Sequence, residues 1–199
     1  GALMDMMRRP RWLCGVLGRY VVTTGYPKFE NYPAWQRTSV TDAGRVGAPT
    51  LCESLSWPDI AKLRDLWPGT FIVKGIMSPQ DAVLAFKHGA DAVVLSNHGG
   101  RNLDSSLSTI EVLPEMVAAV GAGARIILDS GIRRGADIAK ALALGAHGVL
   151  IGRAPLYGAA VAGQAGAAHA IALLKRELET VMAMTGRPRI ADLTPDLIR

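Results

Sequence analysis

A histidine and an arginine stand three residues apart in the stretch SNHGGRNLD, residues 96–104, which follows an apolar run. His98 has the side chain whose unperturbed pKa, about 6.5, suits proton transfer near neutral pH. Arg101 can bind a carboxylate through two parallel hydrogen bonds, and Gly99 and Gly100 leave room for a flat ligand. Together these residue types suit removal of a proton from a substrate that bears a carboxylate. The alternative is a polar turn between two core elements.

A second group of residues, between 129 and 153, has the composition of a phosphate site. Gly131 and Gly152 let backbone N–H groups approach an anion, and Arg133 and Arg153 each offer a forked, permanently charged donor. In barrel enzymes the loops after the last two strands often bind phosphate together with a helix N-terminus. The alternative is a pair of tight turns with surface arginines.

Lys74 lies 24 residues before His98, one strand and one helix earlier. On neighbouring strands the two side chains would face the same pocket, where the lysine can stabilise negative charge on a bound cofactor. The alternative is a strand-end lysine that reaches solvent. Arg134, beside the phosphate residues in sequence, is expected to be solvated or salt-bridged rather than a ligand.

Apolar runs and helix-length segments alternate from residue 57 onward. The runs are apolar throughout, which is typical of parallel strands buried on both faces and joined by right-handed crossovers. We predict strands over 71–74, 91–95, 125–129 and 148–151, and helices over 57–67, 78–88, 109–120, 134–144 and 166–185. An open doubly wound sheet and half of a (β/α)8 barrel both have this order of elements.

The carboxyl ends of the predicted strands favour the barrel. Lys74, Ser96–His98, Asp129 and Gly152–Arg153 close or follow the four strands in turn, and a barrel builds its active site at that end. No glycine-rich dinucleotide fingerprint follows any strand, which disfavours the Rossmann type. A closed barrel typically needs about 250 residues and eight strands. We therefore expect half of a barrel, whose other strands precede Gly1 or come from another chain.

The composition is that of a globular protein with a sizeable core, with 199 residues of which 49% are hydrophobic and 20% charged. Cys14 and Cys52 fit neither a zinc pattern nor a disulfide framework, so we expect free thiols, a reducing compartment and no metal site. The sequence has no apolar run of roughly 18 residues, so we expect no transmembrane helix.

The first 48 residues are basic and rich in aromatic side chains. They hold seven Lys and Arg against three Asp and Glu, which gives +4 of the chain's net +5, and six of its eleven aromatic residues. Such a segment can contact an anionic membrane surface, or it can be an irregular insertion that packs on its own domain. A basic, aromatic-rich segment could also bind nucleic acid, but we expect no nucleic-acid partner for this chain.

Four motifs in this order carry a family resemblance: VKGI at 73–76, SNHGGRNLD at 96–104, LDSGIRRGADIAKALALGA at 128–146 and LIGRAPLYG at 150–158. They are similar to motifs of the FMN-dependent α-hydroxy-acid dehydrogenases and oxidases. The resemblance extends from about residue 51 to the C-terminus and more loosely over the first 50 residues. It implies that residues 51–199 form strands five to eight, the C-terminal half, of an FMN-binding (β/α)8 TIM barrel.

The resemblance also assigns roles to single residues. His98 resembles the active-site base and Arg101 the substrate-carboxylate clamp, while Lys74 resembles the lysine that stabilises negative charge at the flavin N1–C2 edge. Lys74 and His98 also count among the expected cofactor contacts. The others are Ser96 at the flavin ring and, at the ribityl chain and phosphate, Asp129, Ser130, Gly131, Arg133, Gly152 and Arg153. The implied reaction oxidises an (S)-2-hydroxy acid of lactate or mandelate type to the 2-oxo acid, with two-electron reduction of FMN. Which substrate proton His98 takes stays open.

For the whole protein, the resemblance implies a homo-oligomer, expected to be a tetramer, that passes electrons to a quinone or similar acceptor. Residues 1–50 resemble the loop that carries a membrane-binding segment in some bacterial members, which implies a cytoplasmic protein peripheral on the inner face of the cell membrane. Cys52 stands where the family has Asp, and Asn102 where it usually has Gln. The family's first four strands have no counterpart here, so a half-barrel that is inactive alone is one alternative. Another FMN- or phosphate-binding barrel enzyme is the other.

Overall fold

The computed structural model describes residues 2–26, 28, 37, 39, 54–121 and 123–198. The helices in these ranges are α1 (Ala2–Met7), α2 (Pro10–Trp12), α3 (Arg19–Thr24), α4 (Trp57–Leu66), α5 (Pro79–Lys87), α6 (Thr109–Val120), α7 (Gly135–Ala143) and α8 (Arg153–Met184). The strands are β1 (Ile72–Ile76), β2 (Ala92–Leu95), β3 (Ile126–Leu128) and β4 (Gly148–Val149). Short 3-10 turns cover His98–Gly100, Ile190–Asp192 and Pro195–Leu197.

The four described strands form one parallel sheet in the order β1-β2-β3-β4. Val93 pairs with Val73 on one side and with Ile126 on the other, and Leu128 pairs with Val149. Each strand therefore lies beside the next one along the chain. A doubly wound sheet contains a point at which the strand order reverses, and these strands have none. The order is that of a barrel and disfavours the doubly wound alternative.

The core is centred on the two middle strands. All four residues of β2 are buried, and Leu95, Leu113, Met116 and Ile126 are at most 1% exposed. Burial of one such side chain contributes about 1.5–3 kcal/mol, so these strands are the best-anchored part of the sheet. The loops that follow β2 and β3, which carry His98 and the Asp129 segment, therefore start from rigid positions.

The helices predicted over 57–67 and 78–88 are confirmed as α4 and α5. The Ser56 backbone N–H donates to Asp59 Oδ2 at 3.1 Å, and Ser78 Oγ accepts from the Asp81 N–H at 3.4 Å, so both helices begin with a side-chain cap. The last helix differs from its prediction, because α8 already begins at Arg153 and is kinked at Ala162–Gly163. The small residues around this kink carry no apolar periodicity, which hid the first helical segment from sequence reasoning.

Residues 2–24 of the basic N-terminal segment are largely helical. A π-helical turn, Leu13–Gly18, joins α2 to α3. Large apolar side chains that are at least 44% exposed here are Met4, Met7, Tyr20, Val22 and Tyr26. Most of residues 27–53, including Cys52 and the later part of the predicted membrane-binding loop, lies outside the described residues. None of the helices in the described ranges is long and apolar enough to cross a bilayer.

Gly135 is required where α7 meets α8. A Cβ at this position would run into the backbone nitrogen of Leu178 and the carbonyl carbon of Glu177. Backbone atoms cannot rotate away as a flexible side chain can, so Gly135→Ala should lower the free energy of unfolding by about 1–3 kcal/mol. Urea unfolding measures this loss. Gly123→Ala is the control, because nothing lies within 4 Å of the added Cβ there, and equal losses in both variants would contradict the prediction.

Candidate active site

The carboxyl ends of the four strands meet at one cavity of about 580 Å³. This volume lies within the range of small-molecule sites. The residues predicted from sequence that line it are Lys74, His98, Arg101, Asp129, Ser130, Gly131, Arg133, Gly152 and Arg153. Ser96, the tenth predicted residue, lies beneath the cavity and is 1% exposed. The structure thus brings nine of the ten residues to one cavity, while their individual roles remain predictions.

Ser96 joins the ends of three strands through its hydroxyl. Lys74 Nζ donates to Ser96 Oγ at 2.9 Å, and Ser96 Oγ donates to Asp129 Oδ2 at 2.9 Å. The backbone N–H of His98 also donates to this oxygen at 3.2 Å. Lys74 Nζ lies 2.5 Å from the same Asp129 oxygen. The Ser96 hydroxyl therefore holds the Lys74 ammonium and the Asp129 carboxylate in place.

The pKa of the Asp129 carboxyl is held below its ordinary value. Partial burial raises the pKa, but hydrogen bonds from Lys74, Ser96 and the Ser130 backbone N–H, together with the lysine charge, favour the ionised form and outweigh burial. The Ser130 N–H lies 2.6 Å from Asp129 Oδ1. The result is a carboxylate that remains charged and keeps the Lys74 ammonium beside the cavity.

The stabilising contribution of Asp129 should be lost in acid. Its folded-state pKa lies below the unfolded-state value of about 3.9, so the contribution is fully present above that pH and disappears as pH falls through the folded-state pKa. We expect wild type to exceed Asp129→Asn in unfolding free energy at neutral pH, and the difference to narrow below about pH 4. Urea unfolding of flavin-free protein measures both values. A difference that does not change with pH would contradict the assignment.

The loop after β2 holds His98 in an unusual backbone conformation, with φ 55°. Asn97 caps the turn, because its Oδ1 accepts from the N–H groups of Gly99 at 3.0 Å and Gly100 at 3.2 Å. The imidazole lies against Gly75, where an added Cβ would come within 2.9 Å of His98 Cε1. From the sequence, Asn97 was expected after the second strand, but this capping role was not predicted, although asparagine commonly caps such turns with its side chain.

Three arginines reach the cavity without an ionic partner. Arg101, Arg133 and Arg153 make no ion pair or side-chain hydrogen bond with the residues that the structure describes. Arg134, by contrast, pairs with Glu177 at 2.9 Å, so its predicted salt-bridged state is confirmed. With Lys74 and the one carboxylate added, the cavity lining carries four positive charges and one negative charge. This surplus favours an anionic ligand.

Only one of the two helices at the cavity has a free N-terminus. At α7, Asp137 accepts from the backbone N–H groups of Arg133 at 2.9 Å and Arg134 at 2.8 Å, and Glu177 accepts from Gly135 N–H at 2.8 Å. These carboxylates already satisfy the donors that an anion would use. At α8 no side chain caps the first turn. An anion in the cavity would therefore meet the helix that begins with Arg153.

Apolar side chains form the other side of the cavity. Those that sequence reasoning missed are Ile132, Leu150, Leu156 and Tyr157. Leu156 and Tyr157 are 62% and 60% exposed, which is unusual for side chains of this size. Both lie in the first turns of α8, the segment that the sequence prediction treated as a loop. The site thus combines a cationic side with an apolar side, as a ligand with an anionic group and a flat apolar body requires.

The whole chain matches a family of known enzymes. Residues 1–199 match the family model described as FMN-dependent dehydrogenase. The chain is 41% identical over 197 residues to (S)-mandelate dehydrogenase of Pseudomonas putida, covering 99% of this chain and 48% of that protein. It is 40% identical over 199 residues to an L-lactate dehydrogenase of Ectopseudomonas mendocina, covering 98% and 51%. The chain spans about half the length of the curated relatives it matches.

Solved structures show the same likeness in the fold. A crystal structure of the monotopic membrane protein (S)-mandelate dehydrogenase superposes with a TM-score of 0.85 at 41% identity, covering 98% of this chain and 50% of that one. A soluble mutant of the membrane-associated Pseudomonas putida enzyme gives a TM-score of 0.73 at 45% identity, covering 77% and 44%. The fold is therefore α/β with a parallel sheet, similar to that of the TIM-barrel FMN dehydrogenases.

Proposed function

The chain belongs to the FMN-dependent dehydrogenase family, and from this premise we propose that it supplies the cofactor-phosphate side and the proton-transfer side of an active site that oxidises an (S)-2-hydroxy acid to the 2-oxo acid. The observation that carries the proposal is one cavity that joins His98 to three arginines without ionic partners in the described part of the chain. Relatives named mandelate dehydrogenase, L-lactate dehydrogenase and L-lactate oxidase support this substrate class.

The cavity fits FMN in charge and in polarity. Arg133 and Arg153 offer forked donors to a phosphate at the uncapped start of α8, and Gly131 and Gly152 leave their backbone N–H groups accessible to it. The apolar side suits a flat ring system. FMN, when bound, supplies the two-electron acceptor that no protein side chain provides. Lys74, held by Ser96 and Asp129, then lies where it can stabilise negative charge at the cofactor's edge.

The remaining two residues act on the substrate. Arg101 binds the substrate carboxylate, because a guanidinium matches a carboxylate with two parallel hydrogen bonds and this one has no other ionic partner among the described residues. His98 accepts a proton from the substrate, since it is the histidine that lines this cavity and an imidazole is the side chain best suited to proton transfer. The assignments rest on this geometry together with the family membership.

The four strands are proposed to be strands five to eight of a (β/α)8 barrel. Their sequential order, and a match to about half of each relative's length, support this. In β1, at one edge of the sheet, the burial alternates between exposed and partly buried residues, ending in a buried Ile76. A half-barrel leaves such edges open, so residues 1–199 expressed alone should self-associate. The complete protein is proposed to be a homo-oligomer, a tetramer, that delivers electrons to a quinone or similar acceptor.

The N-terminal segment is proposed to contact the membrane surface on its cytoplasmic side. Exposed apolar residues on α1 and α3 stand close in sequence to Arg8, Arg9, Arg11 and Arg19, and such a combination favours an anionic bilayer surface. A structural neighbour named as a monotopic membrane protein supports the same placement. Co-sedimentation with anionic and with neutral vesicles tests it, and equal binding to both would remove the electrostatic part of the proposal.

One experiment tests the proposed reaction. The protein that carries this segment, expressed with its natural flanking sequence, is purified and examined for bound flavin, and 2-hydroxy acids are then supplied with a dye acceptor. Bound FMN together with oxidation of lactate or mandelate supports the proposal. Bound FMN without oxidation of any 2-hydroxy acid would point to another FMN barrel enzyme instead. Neither flavin nor activity in this protein would contradict both the proposed cofactor and the proposed reaction.

A further inference from the structure

We propose that Ser130 is a positioning residue whose hydroxyl holds the His98 loop against the cofactor loop. The inference deepens the proposed function and rests on it for its effect on turnover. Ser130 follows β3 in the Asp129–Gly131 segment, whereas His98 follows β2. The two loops are separate in sequence, and the hydroxyl of Ser130 is one of the few groups that joins them.

Backbone strain marks the two residues together. Among the described residues that are not glycine, only His98 with φ 55° and Ser130 with φ 78° have a positive φ. A left-handed backbone is unfavourable for a side chain with a Cβ, and such residues cluster at functional sites where surrounding contacts impose them. Both residues line the same cavity. The strained backbone at both residues therefore suggests that the two loops are structurally connected.

The connection is a hydrogen bond to the amide next to His98. Gly99 N–H donates to Ser130 Oγ at 3.0 Å and also to Asn97 Oδ1 at 3.0 Å. Asn97 belongs to the same turn, so its bond to Gly99 shapes the turn without joining it to the Asp129–Gly131 segment. Ser130 is on another strand end, and its hydroxyl therefore fixes where the His98 turn lies relative to the cofactor side.

Ser130 is itself held from below. Thr109 is 2% exposed, and its hydroxyl donates to the Asp129 backbone carbonyl oxygen at 2.8 Å. The same hydroxyl lies 3.4 Å from the backbone carbonyl oxygen of Ser130. The Ser130 N–H is taken by the Asp129 carboxylate. These bonds keep the Ser130 backbone in its left-handed conformation. A glycine would adopt that φ at no steric cost, so the benefit of serine here is its hydroxyl.

Two substitutions separate the hydroxyl from the backbone. Ser130→Gly removes the hydroxyl and relieves the strain at positive φ, whereas Ser130→Ala removes the hydroxyl and keeps the strain. The holoenzyme is used, kcat is measured at saturating FMN and saturating 2-hydroxy acid, and deuterium exchange is followed in the peptide that contains residues 97–101. Ser105→Ala, at an exposed serine without a side-chain hydrogen bond among the described residues, is the matched control.

If the hydroxyl positions His98, both variants should lose roughly 3- to 10-fold in kcat, as expected for one hydrogen bond, and both should exchange faster over residues 97–101. The control should change neither quantity. A Ser130→Gly variant that equals or exceeds wild type in both measurements would overturn the proposal, because only the backbone conformation would then matter. Faster exchange with unchanged kcat would also overturn it. If wild type oxidises no 2-hydroxy acid, the proposed function fails, and unchanged exchange in the variants would still separately refute the hydroxyl's role.

Discussion

Replacement of His98 by asparagine should lower kcat for 2-hydroxy-acid oxidation by about 10²- to 10⁴-fold, the usual contribution of a general base. Asparagine tolerates the left-handed backbone that His98 adopts, at φ 55°, so the loop should keep its shape. Its amide cannot accept a proton near neutral pH. The loss should therefore fall on proton transfer rather than on the fold.

Bound flavin distinguishes this loss from a collapsed site. The groups proposed to hold the phosphate, Arg133, Arg153 and the backbone at Gly131 and Gly152, lie on other loops than His98. The purified His98→Asn variant should thus contain as much FMN as wild type. His169→Asn is the matched control, because His169 is exposed on α8 and does not line the cavity. Normal turnover in His98→Asn would refute the assigned role of the imidazole.

The sequence predicted which residues would meet because parallel strands end at a common edge. Lys74, His98, Asp129 and Arg153 are distant in sequence, yet each closes or follows an apolar run, and the structure brings all four to one cavity. The prediction needed only the strand positions and the rule that parallel strands point the same way. Errors of one or two residues at the strand ends did not affect it.

Contacts between residues that are far apart in sequence could not be predicted from the strand positions. Glu177 caps the start of α7 by accepting a hydrogen bond from the Gly135 N–H, although the two residues are 42 positions apart in sequence. No local sequence pattern predicts such a cap, so it could not be predicted from the sequence whether α7 or α8 has a free N-terminus. The positive φ of Ser130 was equally hidden, since serine carries no preference for that conformation. Tertiary contacts impose both features.

The apolar side of the cavity was missed for a different reason. Leu156 and Tyr157 follow Arg153 within the next four residues, in a motif that had been singled out from the sequence. Their helix has small residues on every side near its kink, and a helix without an apolar stripe gives no periodic signal. An exposed leucine and tyrosine then look like ordinary surface residues until the fold places them beside a cavity.

Replacement of Arg101 by methionine should lower kcat/KM for a 2-hydroxy acid by about 10²- to 10⁴-fold, because two hydrogen bonds to a charged group are lost at once. Methionine keeps much of the side chain's length and removes its charge. Arg101→Lys restores the charge without the forked geometry, so it should recover only part of the loss. Arg134→Met is the matched control, since Arg134 pairs with Glu177 and does not line the cavity.

A neutral substrate analogue shows whether the lost interaction is with the carboxylate. Wild type should strongly prefer a 2-hydroxy acid to the 2-hydroxy amide with the same side chain, because only the acid forms the charged pair with Arg101. In Arg101→Met the preference should disappear, since kcat/KM falls for the acid and changes little for the amide. A preference that survives the substitution would mean that another group binds the carboxylate. Arg133 or Arg153, the other cavity arginines without an ionic partner among the described residues, would then have to serve the substrate rather than the phosphate.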